Sequence, residues 1–169
     1  MEFIELAKKR YSVRAYKSTP IEKVKLRTIL EAARLAPTAS NRQPFQIIVI
    51  QTKKKKQKLL SIYSREWFVQ APLVLCICGI PSSAWVRSDG KNYLDVDVAI
   101  VVDYITLAAA DLGLGTCFIA AFDAMSARQV LALPEEADPI LFTPLGYPDV
   151  MPGIKKRKNL DELIRYEHW

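Results

Sequence analysis

The chain has 169 residues and a formal net charge of +6, with 50% of its residues hydrophobic and 25% charged. This is the balance of one globular domain, read here as spanning residues 1–169, with enough chain to bury a substantial core. One histidine, His168, and three cysteines exclude a histidine-based triad and make a zinc centre a poor reading, so any chemistry relies on a borrowed cofactor. No stretch reaches the ~18 apolar residues of a membrane span, and "MEFIELAKKRYS" has acids within its apolar part and no signal-peptide pattern; the expectation is a cytoplasmic protein with no membrane partner.

In chain order, "EFIELAKKR" places apolar residues at 3, 4, 6 and 7 and predicts a short amphipathic helix. "YSVRAYK" reads as extended. "STPIEKVKLRTILEAARLA" predicts a helix with Thr19 as N-cap, Pro20 in the first turn and Glu22 completing a capping box. It should end near Ala36, because Pro37 disfavours helical geometry in the residue before it. "FQIIVIQ" (45–51) is β-branched and predicts a strand. "KKKKQKLLSIYS" predicts a helix with Leu59, Leu60 and Ile62 inward. "APLVLCICGI" (71–80) predicts a buried strand carrying Cys76 and Cys78 as reduced thiols on one side. Residues 94–112 predict a long helix, apolar almost all round and buried on several sides, ended by Gly113. "TCFIAAF" (116–122) predicts a third strand, "SARQVLAL" a short helix and "PILFTPLGYP" a fourth strand. A basic loop and a helical turn or two finish the chain. Two helices precede the first strong strand, an order that suits an α+β layer fold better than a doubly wound one. Nucleotide-binding glycine fingerprints are absent.

Three short segments carry possible chemistry. In extended "RYSVR", Arg10, Ser12 and Arg14 point to one side. They make either an anion cradle or an exposed basic edge. Lys155 and Arg157 in the tail are likewise two apart and close over a phosphate or lie solvated. In "APTASNRQPF", Asn41 and Gln43 carry donors and acceptors suited to a polar heterocycle, or they satisfy the loop's own backbone. The run "KKKKQK" reads as a solvated helix start. A nucleic-acid module built on it and on "KKRK" lacks a recognised motif or a stacking-aromatic pattern, so no nucleic-acid partner is expected.

Taken together and in order, "RYSVRAY", "APTASNRQPF", "GLGTCFIAAFD" and a basic tail ending in an aromatic resemble the FMN-dependent nitroreductase family over nearly the whole chain. The resemblance implies an α+β fold: a central mixed, mainly antiparallel sheet flanked by helices, in an intertwined homodimer with FMN at the subunit interface. It implies that Arg10 and Ser12 serve the phosphate end of FMN and Arg14 the pyrimidine edge, with Tyr11 beside them. Pro37, Thr38, Ala39, Asn41 and Gln43 would come from the other subunit. Ala120 and Ala121 would run past the flavin, and Lys155 and Arg157 would bind phosphate. Some relatives have Glu-Gly where this chain has Ala120-Ala121. The implied activity passes reducing equivalents from NADH or NADPH through flavin N5 to a small acceptor such as a nitroaromatic or quinone, with ping-pong kinetics. The alternative is a flavin-binding sensor or carrier. Trp85 and Tyr93 either line the acceptor site or pack on the surface.

Overall fold

A computed structural model of the chain describes residues 2–169. Its elements are helix α1 (Phe3–Lys9), helix α2 (Lys23–Leu35), strand β1 (Phe45–Gln51), helix α3 (Thr52–Ile62), strand β2 (Leu73–Gly79), helix α4 (Leu94–Asp111), strand β3 (Gly115–Thr116), helix α5 (Ala124–Leu131), strand β4 (Asp138–Gly146) and the helical turn α6 (Leu160–Leu163). The strands form one antiparallel sheet in the order β1-β2-β4-β3. The parallel component expected of a mixed sheet is confined, among the described residues, to a single bridge between Ser12 and Thr116.

Strand β2 lies inside the sheet and is buried on both faces, which is why "LVLCICG" reads as an unbroken apolar run. Leu75 and Ile77 face one core, against Ile29 and Ala33 of α2 and Val98, Val101, Val102 and Ile105 of α4. Val74, Cys76 and Cys78 face the other, with Leu59 and Ile62 of α3, Phe68, Phe142 and Ala127 of α5. Each fully buried large side chain contributes roughly 1.5–3 kcal/mol relative to exposure. The sheet is thus the middle layer of an α+β arrangement. The cysteines are free and buried, as expected.

Helix α4 ends in a Schellman arrangement. The Gly113 N–H donates to Ala110 O at 3.2 Å and the Leu114 N–H to Ala109 O at 2.8 Å, with Gly113 at φ 76°, where glycine avoids the Cβ penalty. The helix is not enclosed on all sides, however. Val96 and Tyr104 are about two-fifths exposed on a face the chain leaves open.

Two sequence expectations are corrected. Helix α2 starts at Lys23 with Glu22 at the N-cap and no side-chain cap bond, so neither Thr19 nor a capping box starts it. The Glu22 carboxylate instead accepts from the Tyr147 hydroxyl at 2.7 and 2.9 Å and pairs with Lys25 at 3.4 Å. A distant partner outcompetes the local one. The capping-box pattern occurs instead at α6, between Asn159 and Glu162. The strand over 116–122 shrinks to Gly115–Thr116, with an isolated bridge from Ile119 to Phe142. The Cys117 N–H is taken by the Thr143 hydroxyl at 3.2 Å rather than by a ladder carbonyl, which interrupts the pairing.

Candidate functional site

The segment after α1 is extended from Arg10 onward. Its anchor is Val13, 1% exposed, whose N–H donates to Thr116 O at 2.8 Å. Burying Val13 turns its neighbours outward, and Ser12 and Arg14 are exposed as the two-residue period requires. Cys117 lies beneath them. Burial pushes its thiol pKa up, while the charge of Arg14 and hydrogen bonds with Ser12 and Arg14 act the other way. That neighbour was not foreseen from the sequence, where Cys117 looked like any buried thiol.

The tail comes to the same end of the molecule. Lys155 Nζ donates to the carbonyl oxygens of Lys8 and Arg10, at the C-terminal end of α1. The Tyr11 hydroxyl donates to Val150 O at 2.7 Å and ties the tail's first residues to the Arg10–Arg14 segment. The Lys155 pKa is held below the usual lysine range, first by desolvation and then by the charges of Arg10 and Arg157. Arg10, Arg14, Lys155 and Arg157 pair with no carboxylate among the described residues. A lysine held down by desolvation and neighbouring cations, among arginines that lack a counter-ion, suits an anion such as the phosphate of FMN.

The loop 37–43 is the second half of the predicted site. Ser40, Asn41 and Gln43 all adopt left-handed backbone, at φ 51°, 52° and 51°, a conformation that costs non-glycine residues about 1–3 kcal/mol each. Such strain persists only when surroundings enforce it. The Thr38 hydroxyl accepts from the Gln43 N–H at 3.0 Å, and Gln43 Nε2 donates to Asn41 O at 3.0 Å. The Gln43 amide is therefore engaged in shaping its own loop. Asn41 and Pro37 stand exposed, with Thr38 and Ala39 half-buried behind them. The loop is fixed from outside by two contacts that sequence reading missed. The Ala39 N–H donates to Asp97 Oδ1 at 2.8 Å, and Arg42 Nη1 donates to Ala84 O at 3.0 Å. The available signal was that Asp97, unlike Asp95, falls on the helical stripe of Leu94, Val98 and Val101.

Ala120 and Ala121 are exposed. Ala120 lines a groove of about 430 Å³ with Asp95, Val98, Ala99, Phe118 and Phe122. Trp85 and Tyr93 are not in its lining. They pack edge-on, centroids 5.0 Å apart, within a small hairpin where Arg87 donates to the Tyr93 hydroxyl at 2.8 Å. Both rings are half-buried there.

Helix α4 relates the two halves. Near its start, Asp97 holds the 37–43 loop; near its end, Thr106 and Ala110 line a cavity with Arg10, Tyr11 and Thr116. At about 1.5 Å per residue, Asp97 and Ala110 stand roughly 20 Å apart along the axis. The structure brings Arg10, Tyr11, Ser12, Arg14, Lys155 and Arg157 together at one end, and places Pro37, Thr38, Ala39, Asn41 and Gln43 at the other.

The chain matches the model of the nitroreductase family over residues 7–70 and 62–147. It superimposes on the crystal structure of a nitroreductase family protein from Clostridium difficile with a TM-score of 0.92 and 39% identity, covering 100% of both chains. A second Clostridium difficile structure, described as an FMN-dependent nitroreductase, gives a TM-score of 0.80 at 27% identity over 99% of this chain and 100% of that one. The Bacillus subtilis FMN reductase [NAD(P)H] is 29% identical over 81% of this chain and 62% of its own length. The family model, the architecture and the order of the motifs agree, and the chain belongs to the nitroreductase family.

Proposed function

We propose that this chain is an FMN-dependent oxidoreductase that takes reducing equivalents from NADH or NADPH and passes them to a small acceptor such as a nitroaromatic or quinone, working as a homodimer with FMN at the subunit interface. The observation that carries the reading is the cluster of Arg10, Arg14, Lys155 and Arg157, which has no carboxylate partner among the described residues. The Bacillus subtilis FMN reductase [NAD(P)H] and the FMN-dependent nitroreductase of Clostridium difficile, both similar to this chain, support it.

Bound FMN supplies the redox chemistry at its isoalloxazine ring, and the protein supplies binding, orientation and electrostatics. Arg10, Lys155 and Arg157 hold the phosphate, with Ser12 adding a hydroxyl at that end. Arg14 faces the pyrimidine edge, where a fixed cation favours the added negative charge of the reduced state. The backbone at Ala120–Ala121 borders the ring. Pro37, Thr38, Ala39 and Asn41 serve the flavin bound mainly by the other copy. Gln43 acts by holding their loop in shape.

Unpartnered apolar surface supports the homodimer. Phe3 and Ile4 of α1 are 64% and 61% exposed, Ile154 is 97% exposed and Trp169 lies fully open. Leu160, Leu163 and Tyr166 add to this face of the tail. A monomer rarely leaves so much apolar surface uncovered, and a two-fold mate would cover it. Two copies sharing α4 faces would also join one chain's cation end to the other's loop end.

The test is an absorbance spectrum of purified protein, repeated after anaerobic addition of NADH or NADPH, with sedimentation of the same sample. Bound flavin that bleaches in a dimer meets the proposal. Flavin that stays oxidised with both donors sinks the NAD(P)H activity and favours a sensor or carrier. Protein that neither carries nor takes up FMN removes the flavin reading.

A further inference from the structure

We infer that Asp97 is the positioning residue of the 37–43 loop: its buried carboxylate holds the loop in its strained shape and thereby sets how tightly flavin binds there. The inference rests on the reading above that this loop contacts FMN.

The loop's own hydrogen bonds are internal. Asn41 N to Thr38 O, Arg42 N to Ala39 O, Gln43 N to the Thr38 hydroxyl and Gln43 Nε2 to Asn41 O all begin and end within residues 38–43. They define a shape but do not attach it to anything. From residues 38–43 two side-chain contacts reach the body of the protein, Ala39 N–H to Asp97 and Arg42 to Ala84 O. Arg42 is exposed and long, so its contact competes with water. Asp97 is 1% exposed and is fixed in the first turns of α4.

Asp97 is an expensive way to hold one N–H. Oδ1 accepts from Ala39 at 2.8 Å, Oδ2 is buried with no hydrogen-bond partner among the described residues, and no lysine or arginine there pairs with it. A buried carboxylate without a counter-charge opposes folding. The positive N-terminal end of α4 softens that cost. What the charge contributes is a hydrogen bond roughly twice as strong as a neutral one, directed at the residue preceding Ser40 and Asn41. These residues are left-handed, at φ 51° and 52°, and without an outside hold they would relax towards ordinary backbone. Asp97 forms no ion pair with any residue of the cation cluster. It acts through Ala39.

Wild type, Asp97→Asn and Asp97→Ala proteins are stripped of flavin, titrated with FMN by fluorescence quenching, and compared by hydrogen exchange over residues 37–43. In Asp97→Ala the loop loses exchange protection and the FMN Kd rises about tenfold. Asp97→Asn keeps the shape and a carbonyl for the Ala39 N–H and recovers most of the affinity, and exchange raised only over residues 37–43 in Asp97→Ala separates this hold from a general packing role. If Asp97→Ala does not fold, Asp97→Asn alone decides: the neutral acceptor leaves the loop amides exchanging faster than wild type while the rest of the chain is unchanged. Equal exchange and equal Kd in every folded variant, or exchange raised evenly over the chain, overturns the inference. A wild type that does not bind FMN removes the flavin reading instead, and the exchange comparison still decides whether Asp97 anchors the loop.

Discussion

Replacing Gly115 with alanine tests how the core sets the position of the cation segment. A Cβ at this position would lie 2.5 Å from Val13 Cγ2, 2.9 Å from Val13 Cβ and 3.1 Å from Pro148 Cγ. Carbon atoms in good contact sit about 3.5–4.0 Å apart, so Val13 must retreat by about 1 Å. Val13 is 1% exposed and borders a cavity of about 160 Å³ that Gly115 also lines, so a retreat into it relieves only part of the clash. Overpacking of this kind costs about 1–3 kcal/mol. For a chain of this size that lowers Tm by roughly 2–4 °C per kcal/mol. The functional consequence is larger than the thermal one. Val13 N–H bonds to Thr116 O, and Ser12 pairs with Thr116, so displacing Val13 carries Ser12 and Arg14 with it. The expected result is an FMN Kd raised about tenfold, equivalent to about 1.4 kcal/mol of binding. Thermal denaturation and flavin fluorescence titration measure the two effects. Adding Val13→Ala removes the 2.5 Å contact and leaves the one at 2.9 Å, so the double mutant should recover part of the affinity lost in Gly115→Ala. An unchanged Tm and Kd in Gly115→Ala, or a double mutant no better than the single one, would refute the reasoning.

Other outcomes follow from single contacts. Ala132 caps α5 in left-handed geometry at φ 51°, so Ala132→Gly should stabilise by about 0.5–1 kcal/mol and raise Tm by about 1–4 °C in a thermal melt. Lys155→Gln should weaken FMN about tenfold but riboflavin hardly at all, because only FMN has the phosphate; parallel titrations with both ligands would expose an equal loss as a structural effect. Asp123 caps α5 by accepting from the Ser126 N–H at 2.6 Å, and its pKa is held below the ordinary aspartate value first by that backbone hydrogen bond. A carboxyl with a lowered folded pKa contributes stability above its unfolded pKa and loses it as pH falls through the folded one. The Tm gap between wild type and Asp123→Asn should therefore be open at neutral pH and close below about pH 3.9; a gap that persists into acid would assign the effect to shape rather than charge.

The amino-acid sequence by itself determined the elements whose signal is local. The apolar run of β2, the apolar length of α4, the glycine that ends it and the two-residue spacing of Arg10, Ser12 and Arg14 all depend on neighbours within a few residues. The motif order was likewise legible and pointed to the family. Tertiary structure alone decided what depends on distant partners. Tyr147, 125 residues away, takes the Glu22 carboxylate and moves the start of α2. Thr143, 26 residues from Cys117, takes its N–H and cuts β3 short. Asp97 reaches across 58 residues to Ala39 and holds a loop whose strain no propensity would predict. The two halves of the candidate site are both visible in the sequence, yet only the length of α4 shows that one chain keeps them roughly 20 Å apart. Local patterns choose between helix and strand because their energies are nearest-neighbour energies. The site depends on which distant groups fill the hydrogen bonds left over, and that is settled only when the chain has packed.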